Sequence, residues 1–372
     1  MNGILCISSK NDISLDNYLN YLEYIQHRGT QSFGYLNNNS MIHIDGLIHD
    51  YKNYDNFTST LFLGYTTNNK INTYFECIFG KVYILMDGNI GCHKSPFDLL
   101  KYYIIINCEN GKSFESLLTE FIIHSDTAFS IIVYINNIIY VMRDKKGIKP
   151  LMYSINEYGI HIASEINGKF KYVKINDVEP GSLLKIEHLK ITKIYKEKSN
   201  IKHCLYEYSD IMNENTISNN INIKEFRNSL GLALAFQELS YILETKFRFV
   251  VLGIPNNSID IANKYANYLN IYYEQLITKT KNTLIVNRNV MDKNIIIISK
   301  SNNLELRTII NQLYKYGIND LHVRIASPEI KYDCFYGIKH KSFNKINKYT
   351  SLKYINIDKI NSDSVCMSCI KK

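Results

Sequence analysis

The sequence predicts two folds in series, an α+β half of layered sheets followed by an α/β half built on a parallel sheet. Three observations carry this. The 372 residues exceed the roughly 250–300 at which a single hydrophobic core stops growing. Up to about residue 200 the apolar segments are brief and strand-like, with few helical stretches, which is the pattern of stacked sheets. From about residue 221 strand-like and helix-like segments alternate, the rhythm of parallel strands joined by crossover helices.

Taken in order, residues 1–7 read as a short apolar strand. Residues 16–26 read as a helix, with Tyr18, Leu19, Leu22 and Ile25 as its apolar stripe. His27-Arg28-Gly29-Thr30-Gln31-Ser32-Phe33-Gly34 reads as a glycine-punctuated turn. Strands are expected over 41–44, 60–65, 81–86, 130–135 and 138–143. In the second half the spacing predicts helices over 226–243, 258–269 and 304–316, and strands over 247–254, 294–299 and 320–326. The polar stretch 196–222 separates the halves, so the expected domains are 1–200 and 201–372.

Hydrophobic content of 45% and charged content of 21% describe an ordinary globular chain able to pack a core throughout. Abundant Asn and Tyr, 30 Tyr with no Trp, fit an A/T-rich genome. The formal charge of +8 comes from scattered lysines, so it reads as a solubility feature, and nucleic-acid binding is not expected. No charged leader precedes an apolar run, and no apolar run approaches about 18 residues, so no membrane segment and a cytoplasmic location are expected. In that compartment the eight cysteines are expected to be free thiols or metal ligands rather than disulfides. Cys366-Met367-Ser368-Cys369 has the spacing of two metal ligands, with Cys334 and Cys204 as candidates for the remaining positions of a tetrahedral set.

Several collinear stretches resemble glutamine phosphoribosylpyrophosphate amidotransferase. Gln26-His27-Arg28-Gly29 resembles the family's L-Q-H-R-G-Q-E-S-x-G, and Asp87-Gly88-Asn89-Ile90 resembles its H-N-G-N-L turn. Ala128-Phe129-Ser130, Arg143-Asp144-x-x-Gly147-Ile148-Lys149-Pro150, Ala163-Ser164-Glu165 and Val178-Glu179-Pro180-Gly181 follow in the family's order. His322-Val323-Arg324-Ile325-Ala326-Ser327-Pro328 and Cys334-Phe335-Tyr336-Gly337-Ile338 resemble its V-H-V-R-I-x-S-P-P and C-x-Y-G-I-D. The resemblance implies an N-terminal nucleophile hydrolase-type αββα sandwich followed by a type I phosphoribosyltransferase-like parallel α/β domain. It also implies glutamine hydrolysis in the first domain, use of the ammonia in the second, and a homo-oligomer. No residue pattern names a protein partner.

The family's chemistry is eroded at both sites. Alignment puts Asn2 where the resemblance implies the nucleophilic cysteine, and an amide is no nucleophile at neutral pH. Cys6 is the alternative, read against a buried structural thiol. The stretch Gly64-Tyr65-Thr66-Thr67 lacks the arginine that would pair with the substrate carboxylate. Asp87 stands where an oxyanion-hole asparagine belongs, and a carboxylate there opposes a developing oxyanion. The family's S-D-[ST]-E is matched by Ser113-Phe114-Glu115, or else by Ser125-Asp126-Thr127. Arg28, Asp87, Gly88 and Asn89 are therefore expected as remnants of the glutamine pocket. In the second half Ile298-Ser299-Lys300-Ser301-Asn302-Asn303 replaces V-D-D-S-I-V-R-G-T-T, and Ile254-Pro255-Asn256-Asn257-Ser258 replaces V-P-D-S-G. The segment 279–284 is all that remains of K-N-R-Y-x-G-R-T-F.

The cysteines persist by contrast. In Bacillus-like members of the family four cysteines hold a [4Fe–4S] cluster, and the matching positions are Cys204, Cys334, Cys366 and Cys369. Four thiolates suit either that cluster or a zinc ion, with the resemblance favouring the cluster. Cys6, Cys77, Cys92 and Cys108 show no such pattern. The expectation is a catalytically inactive homologue with a structural, regulatory or binding role; the alternative is an amidophosphoribosyltransferase or phosphoribosyltransferase working with altered residues.

Overall fold

The computed structural model describes residues 1–51, 57–89, 96–166, 174–245, 249–255, 258–280, 283–337, 348–356 and 364–371. Cys92, His93, Ile90, Phe247, Asn256, Asn257 and Ile338, which figured in the sequence reading, lie outside them. The chain divides into one unit of residues 1–203 with 335–337 and a second of residues 204–334 with 338–372.

The first unit is an α+β sandwich of two antiparallel sheets. One has seven strands in the order Lys174–Asp177, Met152–Ile155, Gly159–Ala163, Asn2–Ser14, Thr58–Thr67, Ser32–Asn37, Ser40–Asp45. The other has six, in the order Lys190–Lys196, Ser182–Glu187, Ile138–Arg143, Ala128–Ile135, Gly80–Asn89, Tyr74–Cys77. Their facing sides make one core, in which Ile4, Leu63 and Tyr65 of the first sheet meet Leu85, Ile132 and Val141 of the second. The outer face of the first sheet is covered by helix Leu15–Glu23, whose Tyr18, Leu19 and Leu22 are buried. Helices Pro96–Asn107 and Phe114–His124 pack on the outer face of the second.

Several sequence expectations are corrected. The first strand runs to Ser14, twice the expected length, because it pairs along both edges with Gly159–Ala163 and Thr58–Thr67. The 27–34 turn is a single 3-10 turn, Gln26–Arg28, followed by the strand Ser32–Asn37. Asp87-Gly88-Asn89 is strand rather than turn: Gly88 lies opposite Phe129, where a Cβ would stand 2.5 Å from the Ala128 carbonyl oxygen. Helix Pro96–Asn107 escapes a periodicity reading because its apolar residues are nearly continuous, so no polar face marks the 3.6-residue turn.

The second unit carries a five-stranded, wholly parallel sheet in the order Tyr272–Tyr273, Phe249–Gly253, Asn294–Ser299, Asp320–Ile325, Ser351–Tyr354. Its central strand has Ile295, Ile296, Ile297 and Ile298 all fully buried, each contributing about 1.5–3 kcal/mol relative to exposure. Both faces of a parallel sheet are covered. Ile296 and Ile298 meet Leu234, Ile261 and Tyr265 of helices Ile223–Glu244 and Ile259–Leu269, while Ile295 and Ile297 meet Leu306, Ile309 and Leu313 of helix Leu304–Lys315. Among the described residues, no helix is long and apolar enough to cross a membrane.

Candidate functional site

Three loci were singled out by sequence: the remnant glutamine pocket, the carboxyl ends of the parallel strands, and the four cysteines. At the first, the strand Asn2–Ser14 brings Asn2 against the strand Gly80–Asn89. The Asn2 backbone N–H donates to Asp87 Oδ1 at 3.0 Å and its side-chain amide to the Met86 carbonyl at 2.8 Å. Arg28 is delivered by the 3-10 turn and is held there by Gly29. A Cβ on Gly29 would lie 2.3 Å from the Thr67 nitrogen, so only glycine allows this approach of the turn to the strand. The Arg28 guanidinium donates to Asp87 Oδ2 and to Glu165 Oε1, each at 2.7 Å, and its Nε to the Asn2 carbonyl at 3.3 Å.

Lys149 adds a second cation 3.6 Å from Asp87, and His27 Nε2 lies 3.0 Å from Glu165. Lys149 is set by the preceding loop, where Asp144 accepts the backbone N–H groups of Lys146, Ile148 and Lys149 and Gly147 takes a left-handed φ of +65°. Arg28, Asp87 and Glu165 are all buried. Burial by itself would raise the Asp87 pKa, but Lys149 and Arg28 outweigh it and hold the carboxyl well below the usual carboxylate range. The result is a charge-paired core in which both terminal nitrogens of Arg28 point at protein carboxylates. Glu165 and Lys149 were legible only as parts of motifs; their partnership with Arg28 was not.

Several of the other positions expected at the glutamine pocket are also buried. Cys6 is fully buried in the intersheet core, where burial drives its thiol pKa up, the opposite of what an attacking thiolate needs. Thr66 and Thr67 are buried, with Thr66 Oγ1 accepting from Gly3 and donating to Ile25. Ser113 caps helix Phe114–His124, and Phe114 turns into the core; Asp126, in the alternative match, is paired with Lys146 at 2.6 Å. Gly88 and Asn89 continue the strand opposite Phe129 and Ala128.

At the carboxyl end of strand Asn294–Ser299, Lys300 reaches Asp210, its Nζ 2.5 Å from the backbone oxygen and 3.3 Å from Oδ1. Ser301 Oγ donates to the same carboxylate at 3.0 Å, and the Lys300 N–H donates to Ser258 Oγ at 2.9 Å. Burial, with Arg227 nearby, lowers the Lys300 pKa, against the pull of Asp210. The next helix begins with its own cap, Asn303 Oδ1 accepting from the Leu306 N–H at 2.9 Å, so a side chain occupies one of the amides that an anion at this helix start would use. Lys279 is bound to Glu305 at 2.6 Å. Nothing in the sequence marked Asp210 as the partner of Lys300.

Two of the four cysteines lie in one apolar cluster of the second unit. Cys369, buried, and Cys334 pack with Leu205, Ile330, Val365 and Ile370. Cys369 shares a hydrogen bond with Cys334, and its thiol pKa is pushed up by that bond, by burial, and by Cys204, Cys334 and Cys366. Burial first, then Cys366, Glu207 and Cys334, raises that of Cys204. Cys204 and Cys369 therefore resist ionisation in the absence of a compensating cation. Four thiolates are a donor set that suits an iron–sulfur or zinc centre by type. Among the described residues, however, no three His, Cys, Asp or Glu side chains converge as a preformed ion site. None of the seven described cysteines is in a disulfide.

No protein-family model matches the chain. The amidophosphoribosyltransferase of Methanothermobacter thermautotrophicus is 27% identical over 240 residues, 57% of this chain and 48% of that protein. That of Staphylococcus aureus is 26% identical over 297 residues, covering 68% and 58%. The chain spans about half the length of the curated relatives it matches. Among solved structures, the B. subtilis glutamine phosphoribosylpyrophosphate amidotransferase complexed with ADP and GMP superposes with a TM-score of 0.81 at 19% identity, covering 99% of this chain and 96% of that one. A structure described as the allosteric regulatory enzyme of purine biosynthesis superposes with a TM-score of 0.75 at 19% identity, covering 99% and 94%. The chain thus has the two-part fold of that B. subtilis enzyme, and its sequence likeness to curated relatives supports the amidophosphoribosyltransferase family.

Proposed function

We propose that this chain is a divergent amidophosphoribosyltransferase homologue that performs neither half-reaction, keeps a four-cysteine [4Fe–4S] site, and serves as a structural, regulatory or binding protein. The observation that carries the reading is the Arg28–Asp87–Glu165 network. With Asn2 in the nucleophile position, the pocket holds no thiolate, and its oxyanion position carries a buried anion already neutralised by Arg28 and Lys149. The Asp210–Lys300 pair and the Asn303 cap support the same reading for the second half.

Cys204, Cys334, Cys366 and Cys369 would hold the cluster, which when bound supplies a cross-link and a one-electron redox centre. A reducing, cytoplasmic setting accords with seven free thiols among the described residues. The test is an assay of the anaerobically purified full chain for glutamine hydrolysis and for ammonia-dependent consumption of phosphoribosylpyrophosphate, with iron, sulfide and zinc measured on the same sample. We expect no turnover in either reaction and about four iron and four sulfide per chain. Turnover in either assay would instead establish a working enzyme with altered residues. Zinc without iron would replace the cluster by a single ion, and absence of all three elements would remove the metal site.

A further inference from the structure

Helix Ile223–Glu244 is apolar on two sides. Its inner face supplies Leu230, Leu234, Ala235 and Ile242 to the core shared with helix Ile259–Leu269 and the parallel sheet. Its outer face carries Leu232, Phe236, Leu239 and Leu243, which are 41%, 56%, 37% and 59% exposed. A helix that is hydrophobic all round belongs in a buried environment, yet this outer stripe faces solvent.

The helix also keeps charge off that face. From Phe226 to Leu243 it has two charged residues, and both turn inward. Arg227 is buried, its Nε donating to the Tyr208 carbonyl at 3.1 Å. Glu238 is buried and bound to Tyr265 at 2.7 Å and to Lys353 at 2.8 Å. The exposed positions beside the stripe are Ser229, Ala233 and Ser240. In a chain of which 21% is charged, exposed Leu and Phe with no charge among them have the composition of an interface core rather than of a solvated face.

The spacing identifies the partner. Leu232, Phe236, Leu239 and Leu243 follow steps of four, three and four, the a/d repeat that keeps one seam facing a neighbouring helix. That series reads the same in both directions. A two-fold axis between Gln237 and Glu238 therefore sets an antiparallel copy of the helix with Leu232 against Leu243 and Phe236 against Leu239, the same patch serving on both sides. The area agrees. At about 200 Å² per fully exposed residue, the four leave roughly 400 Å² bare. Pairing two copies removes about 800 Å² of apolar surface, which at an apolar share near 60% corresponds to about 1,300 Å² of interface. That lies at the lower end of specific, reversible association.

We propose that the outer face of helix Ile223–Glu244 binds a second copy of this chain, giving a two-fold dimer in which the two helices pack antiparallel through Leu232, Phe236, Leu239 and Leu243. The interface uses none of the residues assigned to the two half-reactions or to the cysteine site. The test is sedimentation equilibrium of the full chain from about 1 to 100 μM, comparing the wild type with F236D, L243D and S240K. The control, I78E, puts a charge on an exposed apolar residue of the first unit. Folding of each variant is checked by thermal unfolding, and S240K, which alters only an exposed serine beside the seam, guards against loss of folding in the other two. We expect a concentration-dependent dimer for the wild type and I78E. The dissociation constant should rise about a hundredfold or more in F236D and L243D, and about tenfold in S240K, because the two-fold axis places each new charge at the seam twice. A larger wild-type assembly supports the proposal if these variants split it and overturns it if they do not. The proposal is also overturned if the wild type stays monomeric across that range, or if the folded charge variants associate as tightly as the wild type.

Discussion

Arg28 is held as a structural residue. A guanidinium can pair bidentately with a carboxylate from solvent, yet here both of its arms are taken by protein carboxylates, and all three side chains are removed from water. Removing one partner of such a buried set leaves an uncompensated charge, so Asp87→Asn is expected to destabilise the first unit by about 3–5 kcal/mol, read from denaturant unfolding. The pH dependence follows the same residue. Asp87 titrates lower in the folded chain than in the unfolded one, so the unfolded state binds more protons near pH 4. Its contribution is therefore present above the unfolded carboxylate value, about 4, and is lost as pH falls below it. The wild-type unfolding midpoint should drop between pH 6 and pH 3, and D87N should flatten that slope. Asn2→Cys alone is expected to leave glutaminase activity undetectable, because Asp87 still opposes the oxyanion and positions 64–67 still lack an arginine; measurable ammonia release from that single variant would refute this.

At the scale of elements, the turn after strand Asn294–Ser299 has changed role. In a nucleotide- or phosphate-binding α/β sheet the helix amino terminus following a strand offers free amides to an anion. Here Asn303 fills that role from within the chain and Lys300 turns toward Asp210. Asn303→Ala is expected to lower stability by about 1 kcal/mol, read as a lower midpoint of thermal unfolding, because the Leu306 N–H loses its acceptor. Phosphoribosylpyrophosphate should leave that midpoint unmoved in the wild type; a dose-dependent rise would show that the edge still binds anions.

For the whole molecule, the cysteines lie in segments distant in sequence: Cys204 opens the second unit, Cys334 lies between its parallel strands Asp320–Ile325 and Ser351–Tyr354, and Cys366 with Cys369 lies near residue 372. A centre held by all four would restrict the unfolded chain over loops of more than a hundred residues. The double variant C366S/C369S is accordingly expected to lose its iron and to unfold at lower temperature than the metal-loaded protein. Equal midpoints with and without metal would refute a stabilising role.

What the sequence by itself determined is the class of each half and its most self-contained elements. Strands Ile138–Arg143 and Asn294–Ser299 were legible to the residue, since each is an apolar run of β-branched residues bounded by polar turn residues. Asn136 and Asn137, before the first of them, take the left-handed conformations of a tight hairpin. The C-x-x-C spacing of Cys366 and Cys369 was also legible, because it is carried by residue type and order. Tertiary structure alone decided the rest. Helix Pro96–Asn107 has no polar stripe to announce it, and strand Asn2–Ser14 owes its length to two neighbours. The meeting of Arg28 with Asp87 and Glu165 spans 59 and 137 residues, and that of Lys300 with Asp210 spans 90. Local propensity acts over a few residues, whereas a charge network exists only once the sheets have brought distant residues into contact.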